Sequence, residues 1–291
     1  SVPGVYFPGA RNGLNPEEHT IADYLKEIGY ATMCVGKWHL GDAVKFLPTN
    51  QGFDTFYGIP YSNDMTIDPQ MRLADDIVLR EGTTAEEIRT EKPRKNWVPL
   101  LRNEEVVEYP VDQSTLTRRY TEAAISFIQE NRERPFFVYL PQTMPHVPLF
   151  VSEKFKDGNR ARGIYGDVIE EIDHNVGRIL AALKELGKDD NTLVVFTSDN
   201  GPHQEGGHGM DFFQSNGGLR GMKRDLYEGG VRVPGLARWP GHIDAGTTSD
   251  VPVIGSEQYP QGLGATVASL AAALGETPAS KLTFSCSRDD G

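Results

Sequence analysis

"GYATMCVGKWHLGD", residues Gly29 to Asp42, runs a short apolar segment straight into a lysine and a histidine. Ala31–Val35 is brief and apolar, as a strand buried inside a parallel sheet should be. Gly36 is expected to break it, and Lys37, Trp38 and His39 follow at once. In an open α/β sheet, ligands bind beyond the carboxyl ends of the strands, so charge at this position marks a candidate site. If residues 37–39 stay extended, their period of two sets Lys37 and His39 on one side.

The segments around this one repeat its plan. "NPEEHTIADYLKEIG" before it reads as a helix: Asn15 caps, Pro16 suits the first turn, Ile21, Tyr24, Leu25 and Ile28 share a face, and Gly29 ends it. "STLTRRYTEAAISFIQEN" places Leu116, Tyr120, Ala123, Phe127 and Ile128 on one side. The strand "PFFVYL" (135–140) and the loop "PQTMPHVP" follow it. "GIYGDVIEEIDHNVGRILAALKELG" is a third amphipathic helix, through Val168, Ile172, Val176, Ile179 and Leu183. It leads to the strand "TLVVF" and the loop "TSDNGP". Helix followed by buried strand, three times over, predicts an α/β fold with a largely parallel sheet covered by helices. Residues 60–112 lack clean periodicity and read as an excursion from the sheet over the site. A strand is expected at Val231–Ala237.

The bulk properties narrow the function. A chain of 291 residues with 38% hydrophobic and 24% charged residues is ordinary for a globular protein. A net charge of −12 disfavours generic binding to nucleic acid or an anionic membrane, so an anionic ligand needs a locally cationic pocket. The two cysteines, Cys34 and Cys286, are far apart and define neither a disulfide framework nor a metal motif. No run is apolar for long enough to cross a bilayer, and Ser1-Val-Pro-Gly-Val is no signal peptide. The opening reads as the middle of a longer chain. Nothing in the pattern sets an oligomeric state.

Each strand delivers polar residues at its carboxyl end: Lys37 and His39, then His146, then Asp199 and Asn200. Asp199-Asn200-Gly201 combines a carboxylate with an amide oxygen, donors suited to calcium or magnesium, although the same residues are common in plain turns. Two ligands do not fill a shell of six or more oxygens. His146, flanked by Pro145 and Val147-Pro148, sits in a stiff loop suited to an acid or base. His174, beside acidic residues in the third helix, reads as a surface residue. His203, Glu205 and His208 resemble a zinc cluster, but their glycine-rich surroundings, "HQEGGHGMDFFQSNGG", suit a mobile substrate loop better. In "GGLRGMKRDLYEGGVRVPGLARWPGHI", glycines would let backbone approach an anion while Arg220 and Lys223 supply charge.

In order, "GYATMCVGKWHLGD", "QGFDTFYGIPYSND", "RPFFVYLPQTMPHVP", "YGDVIEEIDHNVGRIL", "NTLVVFTSDNGP" and "LRGMKRDLYEGGVRVPGLARWPGHI" resemble the sulfatase family, of the alkaline phosphatase-like superfamily, over roughly residues 4–256. The likeness is strongest to arylsulfatase A-type enzymes. It implies an αβα sandwich, incomplete here, and hydrolysis of sulfate monoesters through a formylglycine made from Cys or Ser. By motif match Asp199 and Asn200 are two calcium ligands, with magnesium the lesser choice. Lys37 and Lys223 neutralise sulfate oxygens, His39 contacts and helps discharge the nucleophile, and His146 faces the leaving group. The resemblance thus implies catalytic roles for Lys37, His39, His146 and Lys223, and substrate binding by Lys37, His146 and Lys223. The substrate is a sulfated small molecule or glycan, and relatives are exported or lysosomal.

The nucleophile motif, Cys/Ser-x-Pro-x-Arg, is not in this chain. Ser1-Val2-Pro3-Gly4-Val5 has Val5 where arginine is required, and the paired aspartates that complete the metal shell are absent too. The formylglycine is therefore expected upstream of Ser1, and this chain alone is expected to be inactive. Residues 1–256 read as the catalytic domain without that segment. Residues 257–291 keep Tyr259-Pro260 and then lose the pattern. A phosphodiesterase or phosphonate hydrolase of the same superfamily, and a non-catalytic binder of sulfated glycans, are the alternatives.

Overall fold

The structure, a computed structural model, describes residues 4–90, 92–156, 162–249 and 282–287. Ser1–Pro3 and Tyr259-Pro260 lie outside these residues. The opening segment forms β1, Ala31–Lys37, buried at all seven positions. Its side chains alternate between two cores. Ala31, Met33 and Val35 pack with Leu116, Tyr120, Ala124 and Ile128, whereas Cys34 packs with Ala22, Tyr30, Phe53 and Phe137. A strand that must satisfy apolar layers on both faces has no polar side to show, which is why its sequence reads as a continuous run.

Helix α1 (Ile21–Glu27) leads into β1. Helices α3 (Leu116–Glu130) and α4 (Gly163–Glu185) pack together and lead into β6 (Phe136–Tyr139) and β7 (Leu193–Ser198). The start of α1 differs from the sequence reading. Thr20, not Asn15, caps the helix in a reciprocal box with Asp23, while Asn15 closes a turn on the Glu17 N–H. Thr and Asp three residues apart satisfy two otherwise orphaned N–H groups, and that outweighs the Asn-Pro signal.

Residues 60–112 are not an excursion from the sheet. After β2 (Thr55–Ile59), they contribute β3 (Leu73–Leu79), β4 (Leu100–Arg102) and β5 (Glu105–Tyr109), with α2 (Ala85–Thr90) between. These strands form one edge, in the order β3-β5-β4-β2-β1-β6-β9-β7-β8. Charges hid them: β3 carries Asp75 and Asp76 exposed on an edge strand, where charge is tolerated and discourages further pairing. Near β7 the expected strand at 231–237 is instead a short helix, α6 (Glu228–Val231), followed by β8 (Gly235–Arg238); α5 (Met210–Phe213) precedes them.

β1 pairs in parallel with β2 and β6, and β9 (Leu282–Ser287) lies parallel between β6 and β7. β4 and β8 run antiparallel to their neighbours. The sheet is thus mixed and mostly parallel, as expected, and β9 joins it from the stretch that the sequence reading had kept apart. From β1 the chain proceeds to β2 on one side and later to β6 on the other. The crevice between the carboxyl ends of β1 and β6 is therefore a topological switch point.

Candidate functional site

The strand β1 does not end at Gly36; it continues through Lys37, whose N–H donates to the Pro141 carbonyl at 2.8 Å. Gly36 permits this. Its φ is +138°, and a Cβ there would lie 1.9 Å from that same carbonyl oxygen. Only glycine lets β1 run this close to the segment leaving β6. Lys37 is consequently fully buried, 0% exposed, at the switch point.

His39 is left-handed, with φ +58°, so residues 37–39 are not extended and the period-of-two argument for Lys37 and His39 fails. Tertiary bonds set its direction instead. Its N–H donates to the Pro60 carbonyl at 2.9 Å, its Nε2 lies 3.1 Å from the Tyr6 carbonyl, and its ring stands edge-on to Tyr61 at 5.2 Å. The Tyr61 hydroxyl donates to Asp42 Oδ1 at 3.3 Å, and the Gly9 N–H donates to Asp42 Oδ2 at 2.8 Å. Burial pushes the Asp42 carboxyl up to about 6, with the neighbouring Asp68 charge adding to the rise, against the lowering by the Gly9 N–H.

His146 is half-buried in the loop after β6, between two cis peptides. Its Nδ1 lies 2.9 Å from Asn63 Oδ1 and 2.6 Å from the Val147 carbonyl, with Ser62 Oγ 3.2 Å away. Asn63 and Ser62 follow β2, whose carboxyl end lies at the same edge of the sheet. Burial, reinforced by the charges of Lys37 and Lys223 and opposed by Asp64, lowers His146 to about 4. It is therefore neutral at pH 7.

The turn after β7 carries Asp199 and Asn200, and the Ser198 hydroxyl donates to the Asn200 carbonyl at 3.0 Å. The glycine-rich segment is laced onto this turn: Gly201 N–H donates to Gly230 and Lys223 N–H to Pro202, each at 2.9 Å. A Cβ on Gly201 would sit 2.0 Å from the Gly229 carbonyl oxygen. Gly201, Gly229 and Gly230 serve chain-on-chain contact here. The lacing buries Lys223, 7% exposed, beside Asp199. Burial lowers Lys223 to about 8; Asp199 opposes the fall and Lys37 adds to it.

Lys37, His146, Lys223 and Asp199 come from four separate segments: the charges of Lys37 and Lys223 act on His146, and those of Asp199 and Lys37 act on Lys223. Asp199 and Asn200 offer hard oxygen donors, which fit a hard cation in kind. Among the described residues no group of three or more His, Cys, Asp or Glu is placed to hold a metal ion, so the pair accounts for part of a shell only. His203, Glu205 and His208 form no such group: His203 pairs with Glu205 at 3.6 Å, and His208 stacks on Tyr165 at 4.1 Å. His174 is exposed, as expected, against Lys154. The sequence reading missed Tyr6, Asp42, Tyr61, Ser62 and Asn63. For Tyr61, Ser62 and Asn63 the one local signal is that "PYSN" follows a strand, β2, at the ligand-binding edge.

Buried lysines beside hard oxygen donors at a switch point are groups suited to an anion, in an α/β protein with its candidate site at the carboxyl edge of the sheet. The Sulfatase family model matches residues 3–271, and the chain belongs to the sulfatase family. It is 37% identical to N-acetylgalactosamine-6-sulfatase of Mus musculus over 253 residues, 81% of this chain and 43% of that protein. It is 37% identical to arylsulfatase A of Homo sapiens over 257 residues, 86% and 48% respectively. The structure of Ps i-CgsB in complex with k-i-k-neocarrahexaose matches with a TM-score of 0.71 and 28% identity, over 94% of this chain and 57% of that one. PsFucS1 sulfatase from Pseudoalteromonas sp. matches at 0.62 and 30%, over 82% and 49%. The chain spans about half the length of the curated relatives it matches. Membership implies a metal ion and a formylglycine. No helix among the described residues is long and apolar enough to cross a membrane.

Proposed function

We propose that these residues form the sulfate-binding and leaving-group side of a sulfatase active site, whose nucleophile is contributed from outside the 291 residues. The observation that carries this reading is the burial of two lysines from distant segments, Lys37 and Lys223, whose charges both bear on His146. Two ammonium groups in a water-poor pocket stabilise charge on the non-bridging sulfate oxygens, and they are already desolvated before substrate arrives. This resolves how a protein of net charge −12 takes an anion. His39, held rigidly after β1, exchanges a proton with the nucleophile side, and His146 contacts the leaving-group oxygen. Asp199 and Asn200 would hold a divalent cation, calcium in our reading, which supplies Lewis-acid stabilisation when bound.

The substrate class is a sulfate monoester of a small molecule or glycan. A relative named for N-acetylgalactosamine 6-sulfate and a structure holding an oligosaccharide both support the glycan. Residues 1–256 belong to the catalytic domain, and the location is exported or lysosomal, as kinship suggests. The test is the natural, full-length protein assayed on matched sulfate and phosphate esters, with peptide mass spectrometry for formylglycine. Sulfate-ester hydrolysis that disappears in Lys37→Met and Lys223→Met is the expected result. Faster turnover of the phosphate ester, or full activity in both variants, would refute the reading.

A further inference from the structure

We propose that the two site histidines are locked in opposite tautomers: His39 carries its proton on Nε2 and offers Nδ1, whereas His146 carries its proton on Nδ1 and offers Nε2. The argument uses only groups whose hydrogen-bonding role is fixed by their chemistry. A peptide carbonyl accepts and never donates. His39 Nε2 lies 3.1 Å from the Tyr6 carbonyl in a buried contact, so Nε2 must hold a proton. In the neutral ring the lone pair is then on Nδ1.

At His146 the same logic runs through two oxygens. Val147 O, 2.6 Å from Nδ1, can only accept. Asn63 Oδ1, 2.9 Å from Nδ1, is an amide whose orientation is settled independently. Its Nδ2 donates to the Pro148 carbonyl at 2.9 Å and lies 3.5 Å from the His146 carbonyl, so the NH2 group is committed and the oxygen faces the ring. Asn63 is fully buried, and its own carbonyl accepts from Gln113 Nε2 at 2.9 Å, which fixes the backbone beneath it. A lone pair on Nδ1 would confront two oxygen atoms, so the proton resides there. Ser62 Oγ lies 3.2 Å from Nδ1 and 3.3 Å from Nε2; a hydroxyl donates or accepts, so it fits either tautomer and can donate to the lone pair left on Nε2.

The consequence concerns which atom moves a proton. His39 takes up a proton at Nδ1, and His146 takes one up at Nε2. Neutral His146 therefore meets a leaving group as an acceptor, and becomes a donor at Nε2 only after gaining a proton. Tyr6, through its main chain, and Asn63, through its amide, are positioning residues. The roles of these atoms in turnover rest on the sulfatase reading; the tautomers do not, and they are measured with no turnover.

The experiment is a long-range 1H–15N correlation spectrum of the natural, full-length protein, labelled at its histidines, at pH 7.5. His39→Gln and His146→Gln assign the two rings, and through-bond correlation to the backbone assigns them if either variant fails to fold. The expected spectrum has a pyrrole-like Nε2 and pyridine-like Nδ1 for His39, and the reverse for His146. Asn63→Asp keeps an acceptor toward Nδ1, adds charge and gives up the Nδ2 donor to Pro148; it should retain the His146 tautomer and raise its titration midpoint, and an unmoved midpoint would remove Asn63 from the positioning role. A pyridine-like Nδ1 on His146, a pyridine-like Nε2 on His39, or averaged shifts on both nitrogens of either ring would overturn the proposal. Opposite tautomers in a natural protein that hydrolyses no sulfate ester would sink the proposed function and leave this inference standing.

Discussion

The two halves of the site hold their lysines by different means. Lys37 ends a strand whose seven residues are all buried, between two apolar cores and two parallel neighbours. Lys223 sits in a loop laced by backbone hydrogen bonds onto the turn after β7, a strand in which only Leu193 is fully buried. Both ammonium groups end up buried, but the first is positioned by the core and the second by contact between main chains. Disturbing the first support should damage the whole fold, whereas disturbing the second should damage the site alone.

Gly36→Ala tests the first support and should have the largest effect. A methyl 1.9 Å from Pro141 O, on a residue with φ +138°, cannot be accommodated without moving β1 or the His146 loop. A stability loss of about 3 kcal/mol or more is expected in urea denaturation. Gly201→Ala makes an equally close clash, 2.0 Å from Gly229 O, but in the laced loop. It should cost only about 1–2 kcal/mol in the same assay while weakening sulfate binding. Equal stability losses in the two variants would break the comparison.

Next is Lys37→Met, which removes a buried cation from the proposed sulfate site. Calorimetric affinity for inorganic sulfate should fall roughly ten- to a hundredfold, the value of one or two charge-assisted hydrogen bonds. Lys223 adds a pH signature that distinguishes the halves. Its ammonium titrates at about 8, so sulfate affinity should decline as pH rises through that value. In Lys223→Arg the decline should vanish, because a guanidinium keeps its charge. A wild-type affinity flat from pH 7 to 9 would show that Lys223 does not bear on the anion.

The smallest effect is expected at Asp42, which ties the Tyr6–Gly9 segment to the loop of His39. Its carboxyl holds a proton up to about pH 6 in the folded chain, against 3.8 ordinarily, because it is buried. The folded state thus binds more protons than the unfolded state between these values, so this contribution to stability is full below 3.8 and lost as pH rises through about 6. Asp42→Asn should flatten that part of the pH–stability curve, read from urea midpoints at pH 4.5 to 7. An unchanged slope would remove Asp42 from the account.

Local pattern carried much of this molecule. The periodicities of 116–130 and 163–185, and the apolar runs of β1, β6 and β7, are one-dimensional signals of burial, and each became the expected element. Lys37, His146 and Asp199 were legible because they follow such runs. Asn63 and Tyr6 were not, since neither residue type implies that it holds a histidine. Charged β3 was lost for a related reason: at an edge, pairing is backbone chemistry and leaves the side chains free to be acidic.

The sequence by itself determined the helices and strands around β1, β6 and β7, the mostly parallel sheet, the family, and the strand ends at which chemistry gathers. Burial periodicity and motif order are local properties, written into the chain. The tertiary structure alone decided that His39 turns left-handed, that Gly36 and Gly201 serve close chain contacts, and that Asn63 faces His146. Those outcomes depend on which carbonyl lies within 3 Å of which donor, across 83 residues in the case of Asn63 and His146. No local pattern encodes such a distance, because it is set only when the sheet, its loops and its two cores pack together.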